Sequence, residues 1–398
     1  MEIGVVGKPN VGKSTLFNAL TLLEVPMAPY PFTTLKPNRG VGAVRVPCPH
    51  PERGVACAPG NAACRDGVRW IPVSLIDVPG LVPGAHEGKG LGHQFLDELR
   101  AADGFLHVVD GSGGTTPEGE IAAPGSTDPT DEIGWLEEEL VRWIAEILGR
   151  DFERAVRSVE LEGGKTEEFL LHRLTGLAIP PAAVAAALRQ TSVDRAHPSR
   201  WTASERMAIA RELLRAAKPR VVALNKCDRI DPERAAALAR AADPVPVTPT
   251  SAEAELTLRR AHRAHLIAYA PGAAAFTVTD PAHLSAAQRR ALGEIEQLLG
   301  RWGSTGVQPA LEELVFGRLG RVAVFPVEDE ARWTDSRGRV LPDAFLVPAG
   351  TPVREVAYRV HTELGENFIR AIDGRTHRAL GADQPVAPGA VLRIVARR

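Results

Sequence analysis

The sequence predicts an α/β protein: a mainly parallel sheet with a helical insertion, followed by a smaller α+β module. Three observations carry this. A glycine-rich loop at residues 7–14 stands between a short apolar strand and an amphipathic helix. Apolar, β-branched runs at 70–76 and 220–224 are each followed by a polar motif, and a third at 104–110 by a Gly-, Ser-, Thr- and Pro-rich loop. From about Ala323 the pattern turns to short strands around a single helix.

A chain of 398 residues allows two or three domains. The expected bounds are 1–130 with 219–321 for the main α/β domain, 131–218 for the helical insertion and 322–398 for the last module. Hydrophobic content of 44% with 24% charged residues is ordinary for a globular chain. A net charge of −2 supplies no global field for nucleic acid or membrane. No apolar run is long enough to span a bilayer, so no membrane partner is expected. Met1 leads straight into an apolar strand without a signal-like segment, and four cysteines make no disulfide framework. The expectation is a reducing, cytoplasmic setting and a monomer.

Ile3 to Val6 reads as a buried strand, and Leu16, Ala19, Leu20 and Leu23 share one face of the helix that follows. Between them, Gly7-Lys8-Pro9-Asn10-Val11-Gly12-Lys13-Ser14 fits G-x-x-x-x-G-K-[ST]. Strand, glycine loop and helix aim backbone N–H groups and a helix N-terminus at an anion. Asn10, Val11, Gly12, Lys13, Ser14 and Thr15 are the expected phosphate-binding residues. Lys13 would reach the β- and γ-phosphates, and the Ser14 hydroxyl would ligate Mg²⁺.

Pro26, Pro29, Pro31 and Pro37 forbid a regular helix after the loop. In a nucleotide switch such a segment supplies a threonine to Mg²⁺ and the γ-phosphate, and Thr33 and Thr34 are the candidates. Residues 38–46 alternate as a strand. Residues 47–67 then form a polar insertion with Cys48, His50, Cys57 and Cys64. Three Cys and one His suffice for a tetrahedral zinc, although C-x-H-x6-C-x6-C is no standard finger; a surface loop with free thiols is the other reading.

The strand at 70–76 delivers Asp77-Val78-Pro79-Gly80. A carboxylate at the C-terminal end of a strand is where a ligand to Mg²⁺-bound water belongs, and the Gly80 N–H would meet the γ-phosphate. Residues 81–92 are rich in glycine and suit an element ordered by that phosphate. Leu81 stands where Ras-like proteins carry the glutamine that orients the attacking water, and it cannot do so. His86 and Glu87 are nearby candidates to replace it, with plain exposure to solvent the other reading. The Asn10 side-chain oxygen is a candidate to hold a monovalent cation, K⁺, near the phosphates; otherwise it only orients the loop. His107, inside the strand at 104–110, reads as a satisfied core histidine.

Residues 131–218 read as helical pieces, among them a helix from Thr202 to Ala217 with Thr202 as N-cap and Glu205 three residues on. Asn225-Lys226-Cys227-Asp228 follows the next strand and matches N-K-x-D. The Asp228 carboxylate can accept from both N1–H and N2–H₂ of guanine, whereas adenine leaves it unpaired. Lys226 would pack over the ring, Asn225 would bond loop and base, and Ser251 and Ala252 fit the loop that meets guanine O6. Residues 253–321 read as mainly helical, with Arg259, Arg260, His262, Arg263 and His265 either a solvated face or a contact to RNA phosphates.

In the last module, short strands near 324–327, 345–347, 368–372 and 391–395 surround a helix over 352–363, which suggests a β-grasp. Eleven Arg and no Lys against ten acidic residues over 323–398 give +1, so charge alone does not argue for RNA. Arg370, Arg375, His377 and Arg378 are the candidates for a local cluster.

Taken together, the phosphate loop, Tyr30 to Thr34 with Pro37-Asn38, the run from Asp77 to Gly92, N-K-C-D and Ser304-Thr305-Gly306-Val307 resemble the Obg-related P-loop GTPases. The fuller match is to archaeal-type members of the YchF family. The resemblance implies Thr34 as the Mg²⁺ threonine, a hydrophobic residue at position 81, a TGS-like C-terminal domain, and a ribosome or RNA link. Some YchF proteins have a degraded N-K-x-D and prefer ATP; the retained Asn225 and Asp228 favour GTP. The expected activity is slow, Mg²⁺-dependent GTP hydrolysis to GDP. Its rivals are an ATP-preferring hydrolase and a nucleotide-gated RNA-binding module with negligible turnover.

Overall fold

The computed structural model describes residues 1–22, 39–80 and 100–397. They form two compact units. The first holds residues 1–22, 39–40 and the described part of 74–314; the second holds 41–73 and 315–397.

In chain order the first strands are β1 (Glu2–Val6), β2 (Arg39–Pro47), β3 (Ala63–Arg65), β4 (Val68–Asp77), β5 (Gly104–Asp110), β6 (Arg220–Asn225) and β7 (Val247–Pro249). The sheet of the first unit runs β4–β1–β5–β6–β7, parallel at every step. Gly4 pairs with Ile76, Val6 with His107, and Asp110 with Asn225. β5 is buried at every position. Parallel strands covered on both faces need such unbroken apolar runs, and their C-terminal ends are where loops gather to bind ligands. The strand over 70–76 expected from the sequence is longer by two residues at its start, and the polar insertion before it contains β3, paired antiparallel with β4.

Helix α1 (Lys13–Thr21) buries Lys13, Leu16, Ala19 and Leu20; Leu23 lies outside the described residues. The helical stretch comprises α2 (Pro129–Gly149), α3 (Phe152–Leu161), α4 (Thr166–Arg173), α5 (Pro181–Gln190) and α6 (Ala203–Ala217). Leu136, Leu140 and Ile144 of α2 pack with Ile209 and Leu213 of α6 and with Val6, Ile76 and Phe105 of the sheet. Thr202 and Glu205 form the reciprocal cap that their spacing predicts. Beyond β6 come α7 (Pro232–Ala241), α8 (Ala252–Arg263), the hairpin of β8 (Ile267–Ala268) and β9 (Thr277–Val278), α9 (Ala286–Trp302) and α10 (Val307–Glu312). The hairpin interrupts the helical run expected over 253–321. Arg259 also departs from the expected basic face: it is 4% exposed, paired with Glu255 at 2.6 Å and bonded to Gln308 at 3.2 Å. An i,i+4 carboxylate turned it inward.

The second unit contains a sheet in the order β11 (Phe345–Pro348), β10 (Arg321–Val327), β14 (Ala390–Ala396), β12 (Phe368–Asp373) and β13 (Ala379–Leu380). β10 and β14 are parallel and the other pairs antiparallel. Val353 and Val356 of α11 (Val353–Val360) close one core with Val324, Val347 and Leu392. The single helix expected over 352–363 breaks at His361, which is extended and caps α12 (Thr362–Glu366) through the Glu363 N–H.

Candidate functional site

The loop between β1 and α1 is shaped by two glycines that no other residue can replace without strain. Gly7 has φ +146°, and a Cβ there would lie 2.3 Å from the Val108 carbonyl oxygen. Gly12 has φ +100°, and its Cβ would lie 2.2 Å from Asn225 Nδ2. Gly12 is also the N-cap of α1 and offers no side chain, so the first-turn N–H groups stay directed out of the helix. Lys13 donates from Nζ to the Lys8 carbonyl at 2.6 Å. Burial lowers its pKa, against the attraction of Asp77 and Glu132.

Ser14 Oγ donates to Asp77 Oδ2 at 3.0 Å. Asp77 Oδ1 is buried and has no hydrogen-bond partner among the described residues. Burial raises the Asp77 carboxyl, against the Ser14 hydrogen bond and Lys13. An orphaned carboxylate oxygen beside a hydroxyl is an all-oxygen donor set that fits a hard divalent cation. Gly80 packs on the loop: a Cβ there would meet Pro9 Cγ at 2.8 Å. Thr34 and His86, with Thr33 and Leu81, lie outside the described residues.

Asn225, at the end of β6, joins two loops. Its Nδ2 donates to the Val11 carbonyl at 2.8 Å, and its Oδ1 accepts from the Ala252 N–H at 2.9 Å. Ser251 Oγ donates to Asp228 Oδ1 at 3.0 Å, while Asp228 itself is exposed. The 250–252 loop is fixed from behind. Ser251 N–H donates to the Thr305 carbonyl at 2.9 Å. Glu255, fully buried, accepts from Arg259, from Tyr269 at 2.7 Å and from Thr305 at 2.5 Å. Burial pushes the Tyr269 hydroxyl well up, and Glu255 adds to it. Thr15 is half-buried on the same first turn as Ser14.

Several contacts of this arrangement were not legible in the sequence. Lys226 turns its ammonium onto Asp110 Oδ2 at 2.7 Å. Asp110 also accepts from the hydroxyls of Ser112 and Thr115, both at 2.6 Å, and these bonds with Lys226 hold its pKa low despite its desolvation. Lys8 pairs with Glu132 at 3.1 Å, both buried, and donates to the Thr115 carbonyl at 3.3 Å. Asn10 Nδ2 donates to the Gly119 carbonyl at 2.9 Å, so its amide also orients the loop. The signals existed: Asp110 ends a buried strand as Asp77 does, and Glu132 stands on the apolar face of α2 beside Ile133 and Leu136. His107 is buried as expected, but neither ring nitrogen has a partner among the described residues, and burial holds it well below its usual pKa.

In the second unit, Cys48, His50, Cys57 and Cys64 bring their donor atoms within 4.8 Å of one another. Of the expected basic cluster there, Arg375 is engaged by both oxygens of Glu52, each at 2.7 Å.

A glycine phosphate loop between strand and helix, a carboxylate at the end of the neighbouring strand and an N-K-x-D turn define a P-loop nucleotide-binding protein. Three family models match: 50S ribosome-binding GTPase over residues 2–145, Obg-like GTPase YGR210-like, G4 motif-containing domain over 223–329, and TGS domain over 338–396. A GTP-binding protein of Methanocaldococcus jannaschii is 42% identical over 99% of this chain and 98% of its own. The crystal structure of a GTP-binding protein from Pyrococcus horikoshii OT3 is similar with a TM-score of 0.82 and 35% identity, covering 100% of both chains. A Haemophilus ducreyi protein named ribosome-binding ATPase YchF is 34% identical over 49% of this chain and 50% of its own. The chain belongs to the Obg-like, YchF-related family of GTP-binding proteins. No helix among the described residues is long and apolar enough to cross a membrane.

Proposed function

We propose that this protein hydrolyses GTP to GDP and phosphate with Mg²⁺ as a slow nucleotide switch. The observation that carries the reading is the Asn225 amide, which bonds the phosphate loop through Val11 and the purine loop through Ala252. It leaves the Asp228 carboxylate exposed at the position where guanine offers two donors and adenine none.

In this reading Val11, Gly12, Lys13, Ser14 and Thr15 bind the phosphates, and Asn225, Lys226, Asp228, Ser251 and Ala252 the base. Ser14 and Thr34 would hold Mg²⁺ directly and Asp77 through water; the metal would neutralise charge developing on the phosphate oxygens. Lys13 and the Gly80 N–H stabilise the same charge, and His86 stays a candidate for positioning water. Asn10 spends its Nδ2 on Gly119, which leaves Oδ1 for K⁺. The chain works as a cytoplasmic monomer, and the C-terminal TGS domain supplies its contact to ribosome or RNA. The names of the ribosome-binding family model and of the Haemophilus relative support that contact.

That relative is named an ATPase, so purine preference is the point to test. Fluorescent GDP, GTP, ADP and ATP are titrated into the protein in Mg²⁺ buffer with K⁺ or Na⁺. Guanine preference that Asp228→Asn abolishes supports the reading. Equal or tighter ATP binding overturns the guanine assignment. Near-zero turnover with nucleotide-dependent ribosome binding would replace the enzyme by a gated binding module.

A further inference from the structure

The four cysteine and histidine donors of the second unit have the spacing of a metal site. Cys48 Sγ lies 3.9 Å from Cys57 Sγ, and Cys64 Sγ lies 3.6 Å from His50 Nδ1. With zinc bonds of about 2.3 Å to sulfur and about 2.0–2.1 Å to nitrogen, tetrahedral geometry places two sulfurs about 3.8 Å apart and sulfur and nitrogen about 3.6 Å apart. A disulfide would need about 2.05 Å, so the cluster is not an oxidised pair; the cysteines are free.

Each donor comes from a different short piece of chain. Cys48 follows β2 and its N–H bonds the Gly67 carbonyl at 2.8 Å; His50 opens a turn of 3₁₀ helix; Cys64 lies in β3. Residues 51–56 between them are all exposed, so this stretch has almost no apolar core of its own. Small segments without a core need a cross-link or a metal to hold one conformation.

The second observation is Arg69. It is fully buried, donates from Nη2 to Cys48 Sγ at 3.5 Å and to the Leu341 carbonyl at 2.8 Å, and stacks 5.6 Å from the centre of the Phe325 ring. Its Nε and Nη1 have no hydrogen-bond partner, and no carboxylate lies within ion-pair distance among the described residues. A guanidinium stays charged, and the acid that acts on it electrostatically among the described residues, Asp343, forms no ion pair with it; a buried charge so weakly balanced is unfavourable. Three thiolates and a neutral imidazole around Zn²⁺ carry a net charge of −1, which adds to Asp343 a counter-charge in direct contact with Arg69 through Cys48 Sγ at 3.5 Å.

We propose that Cys48, His50, Cys57 and Cys64 bind one structural Zn²⁺, and that buried Arg69 balances the charge of this centre and ties it to the C-terminal sheet. The ligand set is complete at four, with no position left for substrate, which is the signature of a structural rather than a catalytic zinc. The Ala58 and Gly60 N–H groups bond the carbonyls of Val340 and Pro342, and Asn61 exchanges two hydrogen bonds with Ala344. The metal therefore fixes a segment that is already stitched to the module carrying the TGS match.

The test uses the full chain. Metal analysis of the purified protein should give about one zinc per chain and no stoichiometric iron. After chelation and dialysis, Co²⁺ added alone should produce tetrahedral cobalt bands with thiolate charge transfer, saturating at one equivalent. Cys57→Ser and Cys64→Ser should each lose the metal. Arg69→Met should weaken zinc binding by about 10–100-fold, the usual range for outer-shell changes, and Arg69→Lys should restore part of it. Nucleotide binding by the same preparations reports folding of the other unit and keeps this proposal separable from the GTPase reading. Zinc absent from the purified and the reconstituted chain, iron in its place, or full zinc occupancy in Cys57→Ser or Cys64→Ser would overturn the proposal.

Discussion

Lys226 and Asp110 form an ion pair of 2.7 Å between the ends of two adjacent strands, β6 and β5. Lys226 sits at φ +62°, a conformation that non-glycine residues rarely adopt, and the pair holds its side chain in one direction. Asp110→Asn keeps the shape but removes the charge. We expect nucleotide affinity to fall by about 5–30-fold, the equivalent of about 1–2 kcal/mol for a charge-assisted hydrogen bond. Isothermal titration with GDP measures it; unchanged affinity would mean that the pair is only structural.

Asn225→Ala removes both ties at once, from Val11 and from Ala252. Two lost hydrogen bonds that leave buried groups unpaired cost about 2–4 kcal/mol. The expected result is nucleotide binding weakened by at least about 30-fold, with a smaller loss in thermal stability, read by titration and by calorimetry on the same protein.

Gly306→Ala tests the support behind the 250–252 loop. Gly306 has φ +76°, and a Cβ would lie 1.8 Å from the Pro249 carbonyl oxygen, a backbone atom. Neither strain nor clash can be relieved by rotating a side chain. Denaturant unfolding should show a loss of more than about 2 kcal/mol.

The Glu132 carboxyl is pushed up to about 7 by burial, against the pull of Lys8. The folded chain therefore keeps a proton between about pH 4.5 and 7 that the unfolded chain releases. The sign follows from linkage: this group's contribution is fully present below about pH 4.5 and is lost as pH rises through 7. Glu132→Gln should flatten that part of the stability–pH profile; an unchanged slope over this interval would refute the assignment.

Where one residue type at one spacing decides the structure, the sequence was easily read. Gly7 and Gly12, the apolar run of β5 and the Thr202–Glu205 cap all emerge as their spacing implies. What stayed hidden depends on side chains meeting across long separations. Nothing local tells that Lys8 will find Glu132, or that Arg69 will run between Cys48 and Leu341. Arg259 misled for the opposite reason: its neighbours Arg260 and Arg263 are exposed, and only the carboxylate four residues earlier marks it as different. Thr34 and His86 belong to segments outside the described residues, and their roles rest on the sequence pattern.

The double tie of Asn225 has a thermodynamic consequence. On the proposed assignment, a single amide would couple the loop that holds a pyrophosphate, through Val11, to the loop that holds a purine, through Ala252. Occupying either half should then make the other half cheaper to fill, and by reciprocity the two enhancement factors must be equal. Guanosine and pyrophosphate offered as separate fragments would behave as each other's effectors, and the whole nucleotide would bind more tightly than the fragments' affinities suggest.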